Sequence, residues 1–141
     1  MEVENLSREV GDRFEQHVEH ICKALGYQVL LPSVCNQHSW DMIVNGARLQ
    51  VKKRGIDTSK PNNIRLVTSR SSSEVVYHVA DVDAFAIYWS DRWFVFASEV
   101  IADQAGAIRN GVYMPSIAQF GGRWDVLSGA HVIVESQGVL F

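Results

Sequence analysis

The sequence predicts an α/β fold on three observations. Val10, Phe14, Val18, Ile21 and Leu25 recur at spacings of four, four, three and four, an apolar stripe of helical period. Asn45-Gly46 separates two stretches of strand character and gives the strongest short hairpin signal, because both residues tolerate positive φ. Residues 82–89 and 93–97 are apolar and joined by Ser90-Asp91-Arg92, a second tight turn.

Residues 7–25 therefore read as the first helix. Ser7 is placed to cap it, Glu9 suits the positive end of its dipole, and Gly26 supplies the stop. Residues 27–31 read as a short strand ended by Pro32, and residues 33–38 as a polar loop. Residues 39–44 form a second strand. Residues 47–53 form its partner, with Leu49 and Val51 on one face and Arg48, Gln50 and Lys52 on the other. Residues 54–63 carry Gly55, Pro61 and two Asn and read as loop, and residues 64–68 as another strand. After the hairpin of residues 82–97, Ser98 is placed to cap a short helix over residues 99–107. The tail from residue 111 carries Gly121-Gly122 and a last strand near residues 131–135.

Size and composition fit one folded domain over residues 1–141, with a core at about residues 7–110 and a C-terminal extension over 111–141. The 141 residues are 47% hydrophobic and 21% charged, ordinary values for a chain that builds its own core without disulfide staples. No apolar run approaches membrane-span length, and the polar, acidic start lacks a signal-peptide pattern. Cys22 and Cys35 give no disulfide framework and read as two free thiols of a cytoplasmic protein. The net charge of −3 argues against a general nucleic-acid coat protein. Its distribution points elsewhere. Lys52, Lys53, Arg54, Lys60, Arg65 and Arg70 crowd a stretch whose acids reduce to Asp57. Such a segment reads as a solvated basic loop or as a local field for phosphate.

The hairpin brings chemistry together. If Asn45-Gly46 is a two-residue loop, Asp41 lies opposite Gln50, with Cβ atoms roughly 4.5–5.5 Å apart, and Lys52 is within diagonal reach on the same face. An Asp41 carboxylate, a Gln50 amide oxygen and the Val51 carbonyl form the hard-oxygen set that suits Mg²⁺. Lys52 could orient or deprotonate the attacking water, or stabilise charge on the phosphate; the residues leave these open. The competing reading is a polar, solvent-facing hairpin side with a surface ion pair.

The run from Gly11 to Gly55 resembles the PD-(D/E)XK nuclease superfamily, in particular its Holliday-junction-resolvase-like branch and its QxK-type homing and phage endonucleases. The resemblance rests on Gly11-Asp12-Arg13-Phe14-Glu15, on Leu25-Gly26-Tyr27, on Ser39-Trp40-Asp41-Met42-Ile43-Val44 and on Leu49-Gln50-Val51-Lys52. It implies a restriction-endonuclease-like α-β-β-β-α-β core, with a mixed central sheet flanked by helices. It implies a divalent-metal-dependent endodeoxyribonuclease with Glu15, Asp41, Gln50 and Lys52 as catalytic residues. Asp41, Gln50 and Val51 would hold Mg²⁺, with Mn²⁺ as substitute, and Glu19 is the fallback for the helix carboxylate. Lys53, Arg54, Lys60, Arg65 and Arg70 are the expected contacts to duplex or branched DNA. The sequence departs from the commoner pattern at Gln50, where a glutamate is usual, and at Trp40, where a proline is. Gln50 keeps open a catalytically silent DNA-binding or regulatory module on the same fold.

Cutting two strands suits a homodimer or higher symmetric oligomer, and the aromatic hairpin of residues 85–96 and the Gly-rich tail are candidate interfaces. His17, His20, Cys22, Cys35 and His38 match no zinc-finger spacing. His78 and His131 read as surface or packed histidines, and Trp40 as the tryptophan placed to touch nucleic acid.

Overall fold

The computed structural model describes residues 2–32 and 39–129, with the side chains of the first helix described from residue 13. Helix α1 spans Glu2–Ala24. It starts before the expected cap at Ser7, because residues 2–6 hold no Pro or Gly and a nucleated helix propagates through such a stretch. It ends as expected. Gly26 sits at φ 84°, Tyr27 N–H bonds Cys22 O at 2.9 Å and Gly26 N–H bonds Lys23 O at 3.0 Å, a Schellman closure. Leu25 falls beyond the helix and is exposed, so the buried stripe ends at Cys22.

The central sheet takes the order β1-β2-β3-β6-β7, from β1 (Val29–Leu30), β2 (Met42–Val44), β3 (Ala47–Lys53), β6 (Ala84–Trp89) and β7 (Arg92–Ala97). The β2–β3 hairpin pairs Val44 with Ala47 and Met42 with Leu49, around Asn45 at φ 49° and Gly46 at φ 87°, the turn its sequence predicts. Asn45 also bolts neighbouring segments: Oδ1 accepts Gln28 N–H at 2.9 Å and Nδ2 donates to Leu127 O at 2.7 Å. The β6–β7 hairpin turns at Ser90 and Asp91, both at positive φ.

Strand β3 runs parallel to β6 and β2 antiparallel to β3, which makes the sheet mixed, as expected. Parallel strands require a long crossover. Here residues 54–83 provide it. Where the expected core has a helix, the described crossover contains β4 (Asn63–Arg65) and β5 (Val75–His78). Its Gly, Pro, Asn and Ser residues favour turns over helix. β4 and β5 pair with β9 (Gly111–Tyr113) and β8 (Ala107–Arg109) in two small ribbons.

The expected helix over residues 99–107 is a 3-10 turn, Ser98–Ile101, without a side-chain cap from Ser98. Asp103 explains the stop. Its Oδ1 accepts the N–H groups of Ala105 and Ala107, a local turn that competes with helix.

Two apolar layers sandwich the sheet. Val18 and Cys22 of α1 pack on Met42, Val44, Leu49, Val51, Ala84, Ala86 and Val95. Phe85, Ile87, Phe94 and Phe96 face the other way, against Ile64, Leu66, Ile108, Val112 and helix α2 (Met114–Ile117). The period-2 alternation of the strands produces both layers. The hairpin proposed as an interface is thereby used up inside the chain: Phe85, Phe94, Phe96 and Trp93 are all buried.

Candidate active site

The site forms where β2 and β3 separate. The ladder ends at Met42 opposite Leu49. Asp41 then leaves the expected direct pairing with Gln50: its N–H bonds Leu49 O at 2.8 Å, and its Oδ2 accepts Val51 N–H at 2.8 Å. A carboxylate has taken the place of a backbone acceptor. In an extended strand a residue's N–H and C=O leave by the same edge, so the Val51 carbonyl also points towards Asp41.

Gln50 is buried, and its Nε2 donates to Ser39 O at 2.7 Å. That bond fixes the amide and leaves Oε1 as the group able to accept. Glu15 comes from α1 and hydrogen-bonds the Asp41 carboxyl. Two carboxyl groups sharing a site resist double ionisation, which a proton or a nearby cation relieves. Burial raises the Asp41 pKa above its ordinary value, against the opposing pull of Val51 N–H, Glu15 and Lys52. Lys52 is pushed down to about 8, first by burial and then by the Arg54 charge, with Asp41 pulling the other way. A cleft of about 190 Å³ lined by Glu15, Gln16, Glu19 and Leu31 opens beside α1. Glu19 itself pairs with Lys23 at 2.7 Å on the helix surface.

The residues expected to cluster, Glu15, Asp41, Gln50 and Lys52, are thus brought together from α1, the approach to β2, and β3. Two more belong to the cluster and were missed from sequence. Tyr77 of β5 places its ring 5.3 Å from Lys52 Nζ. Arg54, expected at phosphate, is turned inward instead: Nε donates to Arg65 O at 2.6 Å, Nη1 to Lys53 O at 2.6 Å, and Nη2 to Leu66 O. No spacing rule joins Tyr77 to Lys52, because the crossover that delivers β5 has no sequence signature.

Lys53, Lys60 and Arg65 are exposed, while Arg70 pairs with Glu74 at 3.4 Å. The segment that leads to Arg70 is held by buried Asn110, also missed. Its side chain accepts Val67 N–H and donates to Val67 O and Arg70 O at 2.7 and 2.9 Å. His78 is a packed histidine: Nδ1 accepts Ala80 N–H at 3.0 Å, which leaves Nε2 to donate to Ala105 O at 2.9 Å. Cys35, His38, His131 and the expected strand near residues 131–135 lie outside the described residues.

Among the described residues no group of three or more His, Cys, Asp and Glu could hold a metal. A cation here would depend on the mixed set of two carboxylates, the Gln50 amide oxygen and the Val51 carbonyl. That set fits a hard divalent ion, which accepts few protein carboxylates and keeps waters, and the adjoining Glu15 and Asp41 carboxyls are the observation that calls for positive charge. No described helix is long and apolar enough to cross a membrane.

Comparison of the sequence with protein-family models and with curated proteins finds no match. Among solved structures the chain is similar to a bacterial homing endonuclease, I-Ssp6803I, with a TM-score of 0.61 and 18% identity over 92% of this chain and 93% of that one. The likeness establishes an endonuclease-like α/β fold.

Proposed function

We propose that this chain is a divalent-metal-dependent endonuclease of the PD-(D/E)XK type that hydrolyses DNA phosphodiester bonds. One observation carries the reading: Glu15, Asp41, Gln50 and Lys52 converge where β2 and β3 part, in the order and spacing of that superfamily. The similar solved structure is a homing endonuclease, which supports DNA as the substrate class.

Asp41, Glu15, Gln50 Oε1 and the Val51 carbonyl would hold Mg²⁺ or Mn²⁺. The chemistry such an ion supplies is neutralisation of phosphate charge and a lowered pKa for water. The remaining work belongs to the protein. Val51 N–H and the Glu15 contact hold the Asp41 carboxylate in place. Ser39 O keeps Oε1 of Gln50 as the free end of the amide. Lys52, pushed down to about 8, has both protonation states within reach near neutrality, which suits a group that gives or takes a proton at Nζ. Exposed Lys53, Lys60 and Arg65 would meet DNA phosphates, and a symmetric dimer would present two sites to two strands.

The test is cleavage of supercoiled, linear and four-way-junction DNA with Mg²⁺ or Mn²⁺ against EDTA. We expect metal-dependent cutting that falls about 10²–10⁴-fold in Lys52→Ala. A Lys52→Ala protein that cuts like wild type would remove the assignment. Neutral Gln50, where a second acid is usual, favours one alternative, a silent DNA-binding module. Binding without cutting would select it.

A further inference from the structure

Lysine is a long, flexible side chain, and an ammonium at a catalytic site is useful only if held. Three groups bracket that of Lys52. Arg54, fixed by the carbonyls of Lys53, Arg65 and Leu66, repels it. Asp41 attracts it. Tyr77 lies beneath, with its ring centroid 5.3 Å from Nζ. The Tyr77 ring is itself set by an edge-to-face contact with buried Phe85, at 5.4 Å and 77°. Lys52 is opposite Ile87 on β6, which offers no polar partner.

We infer that Tyr77 is a positioning residue for Lys52, its ring face serving as the platform that holds the ammonium towards Asp41. The role rests on the nuclease reading above. A ring face attracts a cation through its quadrupole, and does so most where water is excluded. A ring locked by Phe85 defines one position for Nζ, where an aliphatic side chain would give only apolar surface. Burial and the Asp41 charge push the Tyr77 hydroxyl up to about 12, so the platform remains a neutral phenol.

The experiment separates face from hydroxyl and from bulk. Tyr77→Phe keeps the face, Tyr77→Leu removes it, and phenylalanines with increasing ring fluorination at position 77 keep the shape while draining the quadrupole. We expect Tyr77→Phe to cleave within about threefold of wild type. Tyr77→Leu should lose about tenfold in kcat with KM for DNA little changed, and log kcat should fall stepwise along the fluorinated series. The NMR signals of the Lys52 ε-methylene, assigned through Lys52→Ala, should lie upfield from ring current in wild type and Tyr77→Phe and return to ordinary positions in Tyr77→Leu. A Tyr77→Phe loss as large as that of Tyr77→Leu, a flat fluorination series, or no upfield shift would overturn the role. If the wild type itself fails to cleave, the nuclease reading fails and this role with it. That outcome is distinct from a wild-type enzyme indifferent to position 77.

Discussion

Asp41 stands in an environment that penalises its charge when no metal is bound, and the sign of its pKa shift makes this testable. A carboxyl whose folded pKa is raised above its unfolded value contributes stability at low pH and loses it as pH rises through the raised value. Burial is the largest cause at Asp41. The Asp41 contribution to the stability of the metal-free protein should therefore be lost as pH climbs from the ordinary aspartate value through the raised one. Asp41→Asn removes the charge, keeps an acceptor for Val51 N–H and gains a donor towards Glu15. In EDTA at pH 7 we expect Asp41→Asn to melt above wild type, while wild type alone gains stability on adding Mg²⁺. A variant that melts lower in EDTA, or responds equally to Mg²⁺, would contradict this account. At this scale the sequence was a partial guide. The nearness of Asp41, Gln50 and Lys52 was legible because a two-residue turn fixes register between residues close in the chain, although Asp41 slips from its expected place opposite Gln50. Tyr77 and the inward turn of Arg54 were not, since both depend on where a turn-rich crossover folds back.

Helix α1 shows what periodicity can and cannot deliver. The stripe through Phe14, Val18 and Ile21 is the face laid on the sheet, as its spacing predicts, but Cys22 joins Val18 as fully buried and Leu25 is outside. Cys22 follows Val18 by four residues and belongs to the same apolar layer as the small side chains Ala84 and Ala86. Burial pushes its thiol up to about 11 from 9.0, so it stays protonated and unreactive near neutrality. In a Cys35→Ser protein, where Cys22 is the one remaining thiol, a disulfide reagent at pH 8 should modify the native state only as fast as it unfolds. The raised value also means that this residue's contribution to stability is lost as pH rises from 9 to 11. Rapid labelling of native protein would mean that the α1 layer opens freely. The hairpins were legible for the same reason as α1, that turn and pattern agree locally. The helix expected over residues 99–107 was not, because Asp103 diverts two backbone N–H groups to its own side chain.

Across the whole molecule, the crossover of residues 54–83 is what joins site to surface. It leaves β3 directly after Lys53, places Tyr77 beside Lys52, and carries Lys60 and Arg65 on its exposed side. Its basic residues looked alike in sequence, yet the fold divides them into two kinds. Arg54 is spent on backbone carbonyls and Arg70 on Glu74, whereas Lys60, Arg65 and Lys53, whose ammonium lies 5.3 Å from the Phe14 ring centroid, are exposed. Counterion release turns that division into a measurement. Each lysine or arginine that neutralises a DNA phosphate adds about one unit to the slope of log affinity against log salt. Binding measured in EDTA between about 50 and 200 mM salt should show a slope flattened by about one unit in each of Lys53→Ala, Lys60→Ala and Arg65→Ala. Arg54→Ala should leave the slope close to wild type and lower the melting temperature instead. It strands the carbonyls of Arg65 and Leu66, at a cost of about 1–3 kcal/mol. An unchanged slope in all three surface variants would move the DNA to another face of the molecule. A flattened slope in Arg54→Ala with unaltered stability would mean that its guanidinium leaves the carbonyls to meet phosphate when DNA arrives.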